Sequence, residues 1–298
     1  MAEPWVFDPR IDAAAFKALG YAASSAGITE RQHEYRDGWW AHAKRSKAFI
    51  LDAALRVDQP RLAVVLGAGK AYDLPLTELA QRFERVVAVD IDAGALAETV
   101  RSAVREPSLL KKVELRPLDL TGVTRHLVES LQAAAAPTAF GELCRAYRLA
   151  TPPRFLDQPA DLLVSALVLT QLALPAKLLA RRLFEARFGP MPAPLVAEWD
   201  ALDLRMQQDH IDALPRQASL AVLISEVAHQ VTALGTDGRE RATGESWSMI
   251  GPAKLRERLP QGVKIVTHAS WSWPRIRATR ESPGAIMDVE GMVLSSSP

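Results

Sequence analysis

Cysteine is almost absent from this sequence: Cys144 is the single one among 298 residues. One cysteine cannot form an internal disulfide, a CxxC pair or a thiolate-rich zinc site. We therefore expect no bound metal. A cytoplasmic location is the default expectation for a chain without disulfides.

The sequence also lacks an excess of charge and any long apolar run. Lys and Arg number 36 against 35 Asp and Glu, so the net charge is +1 and creates no general field that would attract nucleic acid or an anionic membrane. The longest apolar runs, such as 162–169, have the length of a strand and not of a membrane span. Charges and prolines interrupt the first 16 residues, which do not read as a signal peptide. We expect a soluble protein that acts on a small molecule, with no nucleic-acid or membrane partner.

What the sequence does contain, from Arg61 onward, is an alternation of short apolar runs with amphipathic segments. Strands are predicted over 62–67, 85–91, 112–118, 161–169, 219–226, 263–271 and 286–294. Helices are predicted over 74–83, 93–104, 124–136 and 252–259. Such alternation indicates βαβ units and a parallel sheet. The predicted fold class is α/β: a Rossmann-like, mostly parallel sheet of about seven strands with helices on both faces and one antiparallel strand near its end.

Two helical segments stand outside this alternation. Residues 1–48 are predicted to form an N-terminal helical cap on a core of 49–298, with a loose lead-in followed by a long helix from Thr29, which begins a capping box, to about Val57. Residues 172–216, between the fourth and fifth strands, are predicted to form two helices around a proline-rich break. This segment is far longer than the roughly 10–12 residues that a crossover with its helix needs. We expect it to be a helical insertion that closes over the ligand edge as a lid.

Glycines and carboxylates follow the first three predicted strands. The first strand ends at Gly67–Gly69, where glycine lets the backbone approach a ligand and the next helix offers free N–H groups. Asp90 ends the second strand, 23 residues after Gly67, where a carboxylate can accept both hydroxyls of a ribose. Asp92 is better placed to cap the next helix, and Asp119 ends the third strand on the same edge. Together these positions indicate an adenosine site.

With these features, residues 49–294 resemble the class I S-adenosylmethionine-dependent methyltransferases. The segment VVLGAGKAYDLPL is similar to the first motif of that family, VVAVDID to the second, LRPLDL to the third and DLLVSALVLTQL to the fourth. The resemblance implies S-adenosylmethionine as the cofactor, S-adenosylhomocysteine as the product and in-line methyl transfer. Two positions depart from the family pattern, since Val65 stands where an acidic residue is frequent and Ala71 stands where a third glycine is usual.

The resemblance also implies a set of cofactor-binding positions. They are Gly67, Ala68, Gly69, Asp73, Asp90, Ile91, Asp119, Leu120, Ser165, Ala166 and Arg45. In this assignment Asp90 holds the ribose, Ile91 packs on the adenine and Asp119 accepts from its amino group. Asp73 is assigned to the ammonium and Arg45 to the carboxylate of the methionine part, both from position alone.

Methyl transfer from a sulfonium depends on alignment, and a general base is needed only if the acceptor is protonated. Glu226 and His229 are the candidate catalytic residues because they follow the fifth strand at its carboxyl end. The candidate substrate-binding residues are Tyr35, Trp40, His42 and Gln171. The fourth motif lacks the (Asp/Asn)-Pro-Pro-(Tyr/Phe) signature of enzymes that methylate nucleobase amino groups, which favours a small-molecule acceptor.

Two other functions stay open at this point. A nicotinamide-dependent oxidoreductase would also use a strand, a glycine turn and an acidic strand end, although the third glycine at dinucleotide spacing is missing. A catalytically inactive methyltransferase fold that serves as a binding module is the other alternative, and Val65 and Ala71 motivate it.

Overall fold

The structure, a computed structural model, describes residues 13–147, 156 and 158–296. The strands of this part are β1 (Leu62–Leu66), β2 (Arg85–Asp90), β3 (Val113–Pro117), β4 (Ala160–Ala166), β5 (Ala218–Leu234), β6 (Glu240–Ser248), β7 (Val263–Ile276) and β8 (Gly284–Ser296). Its helices are α1 (Ala13–Ala18), α2 (Tyr21–Glu34), α3 (Arg36–Leu55), α4 (Leu76–Arg82), α5 (Ala93–Ala103), α6 (Pro107–Leu110), α7 (Thr124–Ala133), α8 (Pro137–Tyr147), α9 (Leu174–Phe188) and α10 (Ala193–Ala213). Within the described ranges, no helix is long and apolar enough to cross a membrane.

The sheet follows the order β3-β2-β1-β4-β5-β8-β7. Strands β1 to β5 are parallel along this order, whereas β8 runs antiparallel to both β5 and β7. The predicted α/β class, the mostly parallel sheet and the antiparallel strand near its end are therefore confirmed. Because the first parallel strands are covered by helices on both faces, all five residues of β1 are buried.

Side chains of β1 alternate between two cores, as the pleat of a strand requires. Ala63 and Val65 pack in a core with Ile50 of α3 and with residues of α4 and α5. Leu62, Val64 and Leu66 pack in a second core that includes Ile211 of α10. The predicted helices on both faces are confirmed. A third core joins α1, α7, α8, α9 and the middle of α10 away from the sheet.

The C-terminal half departs from the prediction in three places. Strand β5 has 17 residues instead of the predicted eight, and its second half pairs with β6, an additional strand. The prediction missed β6 because all nine of its residues are exposed, so no apolar alternation marks it. The helix predicted over 252–259 is wrong: only a short 3-10 turn forms at Leu255–Arg258, between Pro252 and Pro260.

The N-terminal helices also differ from the prediction. Thr29 lies inside α2 and does not begin a helix, and the long helix predicted from there is interrupted at Tyr35 (φ −119°). The predicted boundary at residue 48 falls within α3, which contributes residues on both sides of it to one buried stripe. Gly38 lets α3 approach β7, since a β-carbon at this position would lie 2.2 Å from the carbonyl oxygen of Pro274.

Candidate functional site

A cavity of about 250 Å³ opens at the carboxyl ends of β1, β2, β3 and β4. This is the edge at which open α/β sheets bind ligands. Helices α2 and α3 form its other wall. The residues predicted from the sequence that line it are Gly67, Ala68, Gly69, Asp73, Asp90, Ile91, Asp119, Leu120, Ala166, His42, Gln171 and Glu226.

The glycine turn after β1 forms the floor of this cavity. Gly67 has φ 72° and Gly69 has φ 37°, both in the left-handed region that glycine adopts at low cost. A β-carbon on Gly67 would lie 2.7 Å from Cβ of Val168, which also lines the cavity. The backbone therefore passes where no side chain would fit, as a close approach to a ligand requires.

Backbone strain is concentrated around the same cavity. Within the described residues, Ala71 (φ 47°) and Leu167 (φ 57°) are the two non-glycine residues with positive φ, and both line it. Each such residue costs of order 1–2 kcal/mol and persists where the surrounding structure enforces it, which is frequent at functional sites. At Ala71 the chain therefore adopts a conformation that glycine would adopt at lower cost.

Asp90 is held by the backbone and keeps free acceptor sites. Its Oδ2 accepts from the N–H of Gly69 at 2.7 Å, and its Oδ1 accepts from the N–H of Asp92 at 2.9 Å. Burial raises the pKa of Asp90, and the backbone hydrogen bonds oppose this increase. A carboxylate has about four acceptor sites, so one on each oxygen remains for a ligand. Asp92 caps α5 through Ala95 N–H at 2.9 Å, as the sequence predicts.

Asp119 has a local structural role that the sequence analysis did not anticipate. Its Oδ1 accepts from the N–H and the hydroxyl of Thr121 at 2.9 and 2.8 Å. Its Oδ2 accepts from the N–H of Thr124 at 2.9 Å, at the start of α7. One acceptor site on Oδ2 remains, so Asp119 can bind at most one ligand donor directly.

Tyr21, the first residue of α2, closes the cavity at the end where the two carboxylates lie. Burial, and then the negative charges of Asp119 and Asp90, raise the pKa of its phenol above the usual value. The phenol therefore stays protonated and can donate a hydrogen bond. Tyr21 is not among the predicted site residues, because no motif marks it within the predicted lead-in of residues 1–28.

Glu226 lies at the opposite end of the cavity, 2% exposed, where β5 leaves the parallel sheet. Its Oε2 accepts from the hydroxyl of Thr170 at 3.1 Å, and its Oε1 lies 3.6 Å from a guanidinium nitrogen of Arg275. Gln171 donates to the Thr170 hydroxyl at 3.3 Å. Burial and the negative charge of Glu226 raise the pKa of nearby Asp73 to about 6.

His42 lines the cavity, but both of its ring nitrogens have neighbours. Its Nδ1 accepts from the indole N–H of Trp271 at 3.0 Å, and its Nε2 lies 3.4 Å from the hydroxyl of Ser46. The ring stacks on Trp273 with 4.1 Å between centroids. Burial, and then the positive charge of Arg275, lower the pKa of His42 to about 3. A neutral, packed imidazole of this kind supports the wall of the cavity.

Three residues predicted from the N-terminal helices do not line the cavity. On α3, the buried face carries Trp39, His42 and Ser46, whereas Arg45 is exposed. Trp40 is 63% exposed, with the ammonium of Lys44 5.3 Å from its ring centroid. Tyr35 packs at the break between α2 and α3. The structure therefore does not support their assignment to the site.

Two further predicted residues, and the two helices of the insertion, also lie elsewhere. Ser165 is buried 2.8 Å from Nε2 of His210, and the ring of His229 packs on Trp247 with 4.0 Å between centroids. No residue of α9 or α10 lines the cavity, because these helices bury their apolar faces against α7, α8 and the sheet. The lid expected from residues 172–216 is not supported, and α2 covers the cavity in its place.

Residues that the sequence analysis did not assign complete the wall. They include Tyr21, Ile28, Arg31, Trp39, Tyr72, Trp273 and Arg275. The indole N–H of Trp39 donates to the carbonyl of Arg275 at 3.0 Å, which connects α3 to the end of β7. The sequence gives one indication of these wall residues, the segment 271–275 with its two tryptophans and one arginine. No motif connects this segment to the glycine turn.

No protein-family model and no curated protein matches this sequence. Solved structures similar to it include an S-adenosylmethionine-dependent methyltransferase from Anabaena variabilis ATCC 29413 (12% identity, TM-score 0.44, 99% of this chain and 100% of the other covered). The N-methyltransferase NodS from Bradyrhizobium japonicum WM9 is 13% identical, with TM-score 0.44 and coverage of 86% and 96%. A candidate RNA methyltransferase from Pyrococcus horikoshii is 8% identical, with TM-score 0.40 and coverage of 86% and 85%. At these identities and TM-scores, none of the three decides the function of this chain.

Proposed function

We propose that the cavity binds S-adenosylmethionine and that the protein transfers its methyl group to a small-molecule acceptor. The observation that carries this proposal is the arrangement of the Gly67–Gly69 turn, Asp90 and Asp119 at three successive strand ends around one cavity. Each of these strand ends presents the group that a part of an adenosyl ligand needs.

The residues of the cavity fit such a cofactor. The turn at Gly67–Gly69 leaves room for the methionine part, where Asp73 is the candidate partner of the ammonium. Asp90 has one free acceptor site on each oxygen for the two ribose hydroxyls. Asp119 has one free site for the adenine amino group. When bound, the cofactor supplies a methyl group activated by a sulfonium.

The contribution of the chain is then to align the acceptor and to exclude water. Helix α2 covers the cavity from Tyr21 to Arg31, and Ala166 lies beside the glycine turn. Glu226 is the better placed of the two base candidates, because it faces the cavity while His229 does not. A methyl acceptor whose nucleophilic atom carries no proton would need neither Glu226 nor His229 as a base.

The nicotinamide alternative fits the sheet less well. The dinucleotide-binding order 3-2-1-4-5-6 belongs to a mostly parallel sheet. Here the sheet continues from β5 into antiparallel β8, with β7 outside it. Ala71 gives less support to the inactive binding module than its sequence suggests, because the positive φ of Ala71 preserves a turn that glycine usually forms.

Isothermal titration calorimetry with S-adenosylhomocysteine and NAD tests the proposal. We expect S-adenosylhomocysteine to bind and NAD not to bind. Asp90→Ala removes charge-assisted hydrogen bonds worth roughly 1.5–3 kcal/mol each, so affinity falls at least tenfold. Asp58→Ala, an exposed aspartate, is the matched control and leaves affinity unchanged. Binding of NAD without binding of S-adenosylhomocysteine would contradict the proposal.

A further inference from the structure

Two arginines line the cavity at the end opposite Tyr21. Arg31 belongs to the last turns of α2, and Arg275 lies near the end of β7. The Nε atoms of both are buried, and neither has a hydrogen-bond partner within the part of the chain that the structure describes. A buried donor without a partner costs about 1–3 kcal/mol, so hydrogen bonds within the described part of the chain leave both side chains incompletely satisfied.

The two guanidinium groups are close enough to affect each other. Burial, and then the positive charge of Arg275, lower the pKa of Arg31, while Glu30 and Glu34 on the same helix act in the opposite direction. Arg275 in turn lies 3.6 Å from Glu226. Two positive charges therefore lie close together, although their repulsion does not stabilise the folded chain.

Neighbouring groups restrain Arg275 before any ligand arrives. Its guanidinium lies 5.3 Å from the ring centroid of Trp273, and its carbonyl accepts from the indole of Trp39. The guanidinium of Arg31 lies over Gly27, where a β-carbon would be 3.2 Å from its Nη1, so glycine leaves room for it. An arginine fork restrained as Arg275 is loses less entropy when it binds an anion.

The position of this pair separates it from the ribose end. Tyr21, close to Asp90 and Asp119, and Arg31 are ten residues apart on α2, which corresponds to about 15 Å along a helix. Arg275 lies 3.6 Å from Glu226, and Arg31 is close enough to Arg275 for their charges to interact. In the proposed enzyme, this is the end that remains for the methyl acceptor.

The charged residues divide between the two ends of the cavity. Asp90 and Asp119 lie beside Tyr21, whereas Arg275 lies beside Glu226. Lys70, which also lines the cavity, already pairs with Glu98. Arg31 and Arg275 are therefore the cations of this cavity that can pair with a carboxylate away from the ribose end.

We propose that Arg31 and Arg275 together bind the carboxylate of the methyl acceptor, a small carboxylic acid whose apolar part lies against Trp39 and Trp273. This rests on the proposed function. A carboxylate accepts from guanidinium N–H groups in a bidentate arrangement, and two arginines that line the same cavity offer such groups. The two indole rings, packed edge to face with 4.8 Å between their centroids, provide apolar surface beside it.

Benzoate, with benzamide as its neutral counterpart, is the probe. The protein is saturated with S-adenosylhomocysteine and titrated with each compound by calorimetry or by tryptophan fluorescence. We expect benzoate to bind at least tenfold more tightly than benzamide. Arg31→Met and Arg275→Met each lower benzoate affinity at least tenfold and change S-adenosylhomocysteine affinity less than threefold.

Arg36→Met and Arg277→Met, both at exposed positions outside the cavity, are the matched controls and leave benzoate affinity unchanged. Circular dichroism checks that each variant folds. Arg275→Lys keeps the charge and loses the fork, so it serves where the methionine variant fails to fold. We expect it to lower benzoate affinity by less than Arg275→Met.

Three results would overturn the inference. Benzoate and benzamide binding equally, or neither binding, would exclude a carboxylate site. A tenfold loss of S-adenosylhomocysteine affinity in the arginine variants would assign the pair to the cofactor's own carboxylate. Phenyl phosphate binding tenfold more tightly than benzoate would make it a phosphate site. Failure of the wild type to bind S-adenosylhomocysteine, with arginine-dependent benzoate binding retained, would instead refute the proposed function and leave the anion site standing.

Discussion

Gly67→Ala is the substitution that tests the geometry of the cavity floor most sharply. Two effects add at this position. The backbone has φ 72°, which costs a residue with a β-carbon about 1–2 kcal/mol. The new β-carbon would also lie 2.7 Å from Cβ of Val168, and overpacking of this kind costs about 1–3 kcal/mol. The expected loss in the free energy of unfolding is therefore about 2–5 kcal/mol.

Gly20→Ala separates the two effects. Gly20 has φ 74° and ψ 22°, just before α2, and a β-carbon there would meet nothing within 4 Å. This control should therefore lose only the backbone contribution of about 1–2 kcal/mol. The difference between the two variants isolates the contact with Val168, about 1–3 kcal/mol.

Urea unfolding followed by circular dichroism measures both variants, and thermal unfolding gives a second reading. At about 2–4 °C per kcal/mol, a loss of about 3 kcal/mol lowers the Tm of Gly67→Ala by roughly 6–12 °C. Because Val168 also lines the cavity, S-adenosylhomocysteine affinity should fall at least tenfold in the same variant. Equal losses in the two variants would refute the close approach of the turn to Val168.

Two further substitutions have expected outcomes that residue propensities for secondary structure would not predict. Gly38→Ala should destabilise the protein by at least about 2 kcal/mol in urea unfolding, although alanine favours a helix, because its β-carbon would lie 2.2 Å from the carbonyl oxygen of Pro274. Gly94→Ala, whose nearest atom is 3.4 Å away, is the control and should be neutral or stabilising, and the same behaviour in both would contradict the contact. Burial raises the pKa of Asp73 to about 6, so its ionised form destabilises the ligand-free fold above that pH, and the penalty disappears as pH falls toward the unfolded value of 3.8. Asp73→Asn should therefore be more stable than the wild type at pH 8, with an advantage that shrinks by pH 4; a difference independent of pH would contradict this account.

The cofactor end of the cavity could be predicted from the sequence because its signals are local. Strands β1 and β2 are uninterrupted apolar runs, and each is followed at once by the glycine or the aspartate that faces the cavity. The same local reasoning distinguishes Asp92 from Asp90. Asp92 stands immediately before α5, where an N-cap residue must be. The role of Asp119 in holding α7 was missed, because Thr121 and Thr124 carry no motif of their own.

The opposite end could not be predicted, since it depends on tertiary packing. Arg31 and Arg275 are more than 200 positions apart in the sequence. They come close together only because β7 pairs with the antiparallel β8 and forms the edge of the sheet. The polar, alanine-rich sequence of α2 gives no clear apolar face that would mark it as a cover. For 172–216 the two helices were predicted, but their packing face was not, because the apolar partners on α7 and α8 are remote in sequence.

A crystal structure of the protein with S-adenosylhomocysteine would show whether this cavity is the cofactor site. We expect both ribose hydroxyls within hydrogen-bond distance of the Asp90 carboxylate, the homocysteine part over the Gly67–Gly69 turn and the adenine between Ile91 and Tyr21. We also expect a free space beside Arg31 and Arg275. Density for the ligand at any other site, or a nucleoside bound with its ribose away from Asp90, would contradict the claim that this cavity is the cofactor site of a methyltransferase.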